Sequence, residues 1–371
     1  MADTRAIANL TPEQWDDQFF TEYLTENRYA GEMGTSENNI IQVKENLTKK
    51  KGDRINFALV NKLTQDAVTG RGTMEGNEED MATRSYELAV DKRRNAVRVA
   101  EIDEQFSAIS LREAGKFVLK EWSLKDTERL VSKALLNLGG VDMNVTDIAA
   151  GGNQTALNAW LVDNTDRVWF GNNAYSTNTS LSTGLATLTA GTAAELLTID
   201  NIDAMKFIAM NKANPKIRPI RSESNGKHYY VMYAHPLAFR DLKKDTALRQ
   251  AQREVSLEME NNRLFKGGDL LWNGVIIKEA HDFYDFATLT GLGDSSTVVP
   301  AVLTGAQAVG AAYARRWRSK TQEFDYGDKH GVEISAIYGI GKMVFGSGAG
   351  DRDDLKDHGI VTGFFASSTA S

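Results

Sequence analysis

The chain has 371 residues, 42% of them hydrophobic, a net charge of -7, a mean hydropathy of -0.38 and no cysteine. That length buries a sizeable core, as one large or two to three smaller domains, while the missing cysteines exclude disulfides and thiolate metal sites and fit a reducing compartment. The acidic balance argues against a dedicated nucleic-acid binder, no apolar run is long enough to span a membrane, and MADTRAIANLTPEQW lacks the basic-then-apolar order of a signal peptide.

Thr11-Pro12-Glu13-Gln14 forms a capping box that opens an amphipathic helix. Trp15, Phe19, Phe20, Tyr23 and Leu24 share one stripe, and Asp16, Asp17, Glu22 and Glu26 lie opposite. The stripe packs either on its own domain or, as a terminal arm, on a neighbouring subunit; both readings are open here. Ile40 to Val43 is a short apolar run, and Lys49 to Arg54 is a charged knot expected to be a solvated turn.

From Arg54 to Leu63 the chain alternates, with Ile55, Phe57, Leu59 and Leu63 on one side. A second alternating run starts at Tyr86, Leu88 and Val90, and its parity flips before Val97 and Val99, which predicts a bulge. The two runs are expected to pair as one long antiparallel ribbon. Their connection, residues 64–84, is about 20 residues of glycine, acid and polar groups, against two to five in ordinary hairpins. A two-stranded ribbon is marginal alone in water, so this one needs a surface to lie on, and residues 53–100 are expected to project as an extension too long and thin to be stable without a second subunit beneath it.

Residues 110–138 are expected to form a long helix, with Ser110 to Glu113 as a capping box and Gly139-Gly140 as its C-cap. Leu111, Ala114, Val118 and Trp122 begin its apolar stripe; Lys116, Lys120, Glu121, Lys125, Asp126 and Glu128 are read as its solvated face. Residues 141–194, rich in Asn, Thr, Ser, Ala and Gly, read as a loop-rich insertion anchored by Trp160, Leu161, Val168, Trp169, Phe170 and Tyr175. Further helices are expected at 202–213, 237–260 and 301–315, and strands at 229–234, 323–324 and 332–345. Leu270 to Ile277 is a hairpin turning at Asn273-Gly274. Without regular strand–helix–strand alternation the class is α+β.

Little in the sequence points to catalysis. The five histidines, His228, His235, His281, His330 and His358, show no metal-ligand spacing, and His235, ending a strand beside a proline, reads as structural. No phosphate-binding or dinucleotide glycine pattern is complete. Arg315-Arg316-Trp317-Arg318, the one basic-aromatic cluster, reads as a solvated helix end rather than a DNA contact. No catalytic, cofactor or metal residue is assigned.

Several stretches carry a family resemblance: FFTEYLTENRYAGEMGTSENNIIQVKENLTKKKGDRINFALV from Phe19, PKIRPI from Pro215, YYVMYAHPLAFRDLK from Tyr229, LFKGGDLLWNGVIIKEA from Leu264 and, more loosely, LTGAQAVGAAYARR from Leu303. They resemble the major capsid proteins of tailed bacteriophages of the N-four-like podophage type, although Arg263 stands where that pattern leads one to expect proline. The resemblance implies the Hong Kong 97-type fold: an N-terminal arm at 1–52, an E-loop at 53–100, a P-domain spine helix at 101–140, a mainly A-domain region at 141–314 with the insertion at 141–194, P-domain strands at 315–350, and a return to the A-domain at 351–371. It implies no catalytic residues and no cofactor. It implies self-assembly through hexamers and pentamers into a virion shell in the bacterial cytoplasm, with portal protein, packaged double-stranded DNA held non-specifically on the inner face, and room for a decoration protein. Because the matched region begins near residue 12, a separate scaffolding protein is expected. The subunit-interface residues expected are Trp15, Phe19, Phe20, Tyr23, Gly70, Arg71, Gly72, Glu75, Gly76, Glu78 and Glu79. An encapsulin-like compartment shell of the same fold is the alternative, separable by cargo-enzyme rather than portal genes nearby. A cytosolic enzyme, separable as a compact monomer, is a third class.

Overall fold

The computed structural model describes residues 28–45, 52–63, 65–79, 81, 83–107, 109–142, 151–171, 180–188, 195–221, 228–255, 265–266, 269–283, 298–347 and 353–367. The chain divides into two units, one drawn from Asp91–Glu128 and Ala314–Tyr338 together with Arg28, the other from Tyr29–Val90, Arg129–Tyr313 and Gly339 onward.

The larger unit is built on an eight-stranded mixed sheet. His228–Ala234 lies parallel to Val275–Glu279 and antiparallel to Val298–Thr304, which pairs in turn with Ile360–Ala366; Val168–Phe170 closes that side in parallel. Val298–Thr304 and Ile360–Ala366 are buried at every position, as central strands covered on both faces must be. One face packs Met232, Val299, Ala301, Leu303, Val361 and Phe365 against Ile202, Met205 and Ile208 of the helical segment that opens at Ile199. The hairpin after Trp272 turns as expected, with Asn273 at φ 41° and Gly274 at φ 75°.

In the smaller unit Asp91–Ala100 pairs antiparallel with residues 329–338, in register from Tyr338 opposite Asp91 to Lys329 opposite Ala100. The first part of helix Leu111–Leu135 packs on this sheet. Trp122 meets Trp317 edge-on at 5.8 Å, and Trp317 meets Tyr338 at 5.6 Å.

Several expectations are corrected. The 54–63 run stops as a strand at Val60, leaving Leu63 57% exposed. The ribbon consists of Arg54–Val60 and Thr83–Ala89; beyond Val90 the chain changes partner to residues 329–338, and that exchange, not a bulge, flips the parity. The helix ends at Leu135, and Gly139-Gly140, at φ 58° and 83°, turn a short hairpin between Asn137–Leu138 and Val141–Asp142. Within the helix Val118 is 51% exposed and Leu119 is buried in its stead, while Asp126 and Glu128 are buried. Residues 141–194 contain helices Gly151–Asp163 and Leu181–Ala186 and the sheet strand Val168–Phe170, so they hold core rather than an insertion of loops. The helix expected from 237 breaks into Pro236–Leu242 and Thr246–Val255, its last residues lying outside the described ones. Residues 301–315 are not helical: Val298–Thr304 and Val309–Phe324 are strands joined by a turn.

Candidate assembly surfaces

The ribbon has a buried base and an exposed tip. At the base Ile55, Phe57 and Leu88 cluster with Ala312, Met343 and Phe345, flanked by Leu59, Tyr86 and Val90. Tyr86 meets Phe345 edge-on at 6.4 Å, and burial raises its phenol above the ordinary value. Lys44 lies 4.3 Å over the Phe57 ring and donates to the Asn56 carbonyl at 3.1 Å. Each buried side chain contributes about 1.5–3 kcal/mol relative to exposure. The ribbon strands therefore rest on their own chain, which corrects the expectation that a second subunit must lie beneath them: their apolar side chains find cover on Ala312, Met343 and Phe345. Across the outer face Arg54 pairs with Glu87 at 3.0 Å.

Beyond Val60 the chain leaves this support. The tip has no regular structure between Val60 and Thr83 among the described residues. Two turns shape it, closed by Gly72 N–H to the Thr69 carbonyl at 3.4 Å and Asn77 N–H to the Met74 carbonyl at 3.0 Å. Gly70 and Gly76 stand at φ 70° and 85°, the left-handed region that side chains avoid. Glu78 accepts from the Gly76 N–H at 2.7 Å, and Glu79 accepts from the Gln65 N–H at 2.8 Å, tying the outgoing and returning arms together. Arg71, Gly72 and Glu75 are exposed, as are the apolar Leu63, Val68, Met74 and Met81. The structure thus brings Gly70 to Glu79 into one protruding element. Trp15, Phe19, Phe20 and Tyr23 lie outside the described residues.

Two buried polar clusters escaped the sequence reading. In the smaller unit Arg93 donates from Nε and Nη2 to Asp126 at 2.6 and 2.8 Å, and the Tyr338 hydroxyl donates to the same carboxylate at 2.8 Å. The hydrogen bond to Asp126 raises the Arg93 pKa, and burial raises that of Tyr338. Asp126 stands one helical turn after Trp122, on the buried stripe, and that spacing was the available signal. In the larger unit a cavity of about 810 Å³ is bordered by Tyr86, Trp160, Asp163, Lys342 and Asp357. Lys342 pairs with Asp357 at 2.8 Å, and the same Oδ2 accepts from the Trp160 indole at 3.0 Å. Lys342 and Asp357 thus satisfy each other's charge, while Asp163, also on the cavity's border, has its pKa raised by burial and by the neighbouring Asp354. His235 accepts from the Leu237 N–H at 3.2 Å and caps the helix it precedes. Among the described residues no three His, Asp or Glu side chains cluster to hold a metal ion, and no helix is long and apolar enough to cross a membrane.

A mixed-sheet body, a second small sheet backed by a long helix, and a protruding ribbon together make the Hong Kong 97-type capsid fold. Structures superpose over the whole chain: the capsid of Cyanophage Pam1, 28% identical, covers 100% of both chains with a TM-score of 0.80, and that of Ralstonia phage GP4, 21% identical, covers 100% of both with a TM-score of 0.75. A curated relative, the major capsid protein of Pseudomonas phage KPP25, is 28% identical and aligns over 97% of each chain. The family described as phage capsid protein matches residues 6–368, and the chain belongs to it.

Proposed function

We infer that this protein is the major capsid protein of a tailed double-stranded DNA phage, assembling into the icosahedral head of the virion. The observation that carries this reading is the family match over residues 6–368. Rings of subunits close by head-to-tail contacts into pentamers and hexamers, and many modest contacts add to a stable shell. The exposed tip fits such a contact. It carries apolar side chains that its own chain leaves uncovered and glycines that let it turn at positive φ, so Gly70, Arg71, Gly72, Glu75, Gly76, Glu78 and Glu79 are assigned to the subunit interface. Trp15, Phe19, Phe20 and Tyr23 are assigned to the subunit interface on the sequence alone, as the apolar stripe of a terminal arm. Of residues 53–100, expected as the E-loop, the ribbon Arg54–Ala89 is assigned to it, while Asp91–Ala100 belongs to the small sheet, and 101–140 falls to the spine region. A portal protein, a separate scaffolding protein, packaged DNA on the inner face and a decoration protein are the further partners proposed. The protein acts by contact rather than by catalysis.

Electron microscopy of the purified full-length protein tests the reading. Closed shells with five- and six-fold rings are expected. A compact monomer at every concentration and salt condition would sink it.

A further inference from the structure

The cavity at the ribbon base is walled by elements that the sequence places far apart. Helix Gly151–Asp163 borders it with Ala159, Trp160 and Asp163, the three- and four-residue spacing of a single helix face. Ribbon strand Thr83–Ala89 borders it with Tyr86 and Leu88, and among the described residues that strand pairs with Arg54–Val60 alone, so its other edge has no strand partner. Leu355, from strand Asp353–Asp357, adds to the apolar wall. The volume, about 810 Å³, falls within the range of small-molecule sites.

The charges around this cavity do not balance. Lys342 pairs with Asp357 at 2.8 Å, Glu87 with Arg54 at 3.0 Å, and Lys356 with Asp166 at 3.5 Å. Asp163 forms no ion pair among the described residues, and Asp354 brings a second negative charge near it. Burial and that neighbour raise the Asp163 carboxyl above its usual value, with the Leu355 N–H and Lys356 opposing in part. A carboxylate so placed is relieved by a cation and repels an anion. The cation that fits carries hydrocarbon, because Tyr86, Leu88 and Leu355 offer apolar surface against which a bare metal ion would have to shed its water. Aromatic rings and the unpaired carbonyls of a strand edge are further acceptors for an ammonium group.

We propose that this cavity binds a small organic cation, its ammonium group on Asp163 and its hydrocarbon body between the ribbon side chains Tyr86 and Leu88 and the helix face at Ala159. A ligand touching both elements fastens the ribbon strand to the helix. The site lies within one chain and is independent of the capsid reading. Hexylammonium and its uncharged counterpart hexanol are the probes, titrated calorimetrically into the full-length protein at matched salt. Hexylammonium is expected to bind about tenfold tighter than hexanol, and Asp163→Asn to remove that preference. Ala159→Leu, at an exposed position, fills the cavity and is expected to weaken both probes alike. Hydrogen exchange in 83–89 and 151–163 is expected to slow when hexylammonium binds. Circular dichroism checks folding, and Asp163→Glu, which keeps the charge, is expected to keep the preference for hexylammonium if Asp163→Asn misfolds. Equal affinity for the two probes in the wild type, loss of the preference in Asp163→Glu, undiminished hexylammonium binding by Asp163→Asn, or slowed exchange confined to other segments would each overturn the site.

Discussion

Arg167 is 2% exposed, and its guanidinium is spent on the chain itself: it donates to the Asp357 carbonyl, to the Asn214 carbonyl at 3.0 Å and to Asp166 at 3.2 Å. Burial alone would raise Asp166, but the charge and hydrogen bonds of Arg167 hold it below the usual carboxylate range. The adjoining His358 is packed edge-on against Phe345 at 5.2 Å, and burial, aided by Arg167, lowers its pKa from 6.5 to about 4. A histidine held neutral in the fold contributes stability that is fully present above its unfolded pKa and is lost as pH falls from 6.5 toward 4. The loss is on the order of 3 kcal/mol. Thermal melts from pH 7 to 4 should therefore fall less steeply for His358→Gln than for wild type; equal slopes would remove His358 as a cause. Lys342 and Asp357 give a second prediction at this scale. Lys342→Met leaves a buried carboxylate with the Trp160 indole but no cation, a cost of about 3–5 kcal/mol. Lys342→Met with Asp357→Leu removes both charges and should regain most of that in denaturant titrations.

At the level of elements, the ribbon base depends on close backbone approach. A Cβ added at Gly339 would stand 2.1 Å from the Ala89 carbonyl oxygen, where backbone cannot give way cheaply. Gly339→Ala should cost about 2–3 kcal/mol and loosen Thr83–Ala89, seen as earlier proteolysis in the ribbon than in wild type. The sequence made this ribbon visible because one face of Arg54–Val60 is buried and the other wet, so Ile55 and Phe57 alternate with Arg54 and Asn56. The same logic hid the strands at 298–324. Val298–Thr304 is buried on both faces and shows no alternation, and the Ala-rich run after it mimics a helix. Those small residues answer a packing need instead: an added Cβ at Gly310 would come within 3.0 Å of the Phe57 ring. Asp126 was misread for a related reason. A charge on a helix reads as solvated until its partner, here Arg93 from a distant strand, is known. The tip residues were legible as a long polar loop because nothing in their pattern asks for burial.

For the whole molecule, the division of labour within the ribbon decides what its loss should do. The base is held by Ile55, Phe57 and Leu88, so it belongs to the stability of the single chain. Residues 70–76 are exposed and are closed only by local turns, with Glu78 bonded to Gly76 inside the tip. Deleting 70–76 removes little buried surface, and shortening a flexible loop changes its closure entropy by only about 0.6 kcal/mol per twofold change in length. The monomer should melt near the wild-type temperature and keep its circular dichroism. Assembly is a different matter, because each copy in a closed ring both gives and receives the same contact. A small loss per contact is multiplied over the shell, and shell yield should fall far more steeply than stability. Calorimetry of the monomer beside particle counts by electron microscopy separates the two quantities. Unchanged melting with scarce or malformed shells is the expected pair of results; normal particles of wild-type stability would show that the tip makes no contact the shell depends on.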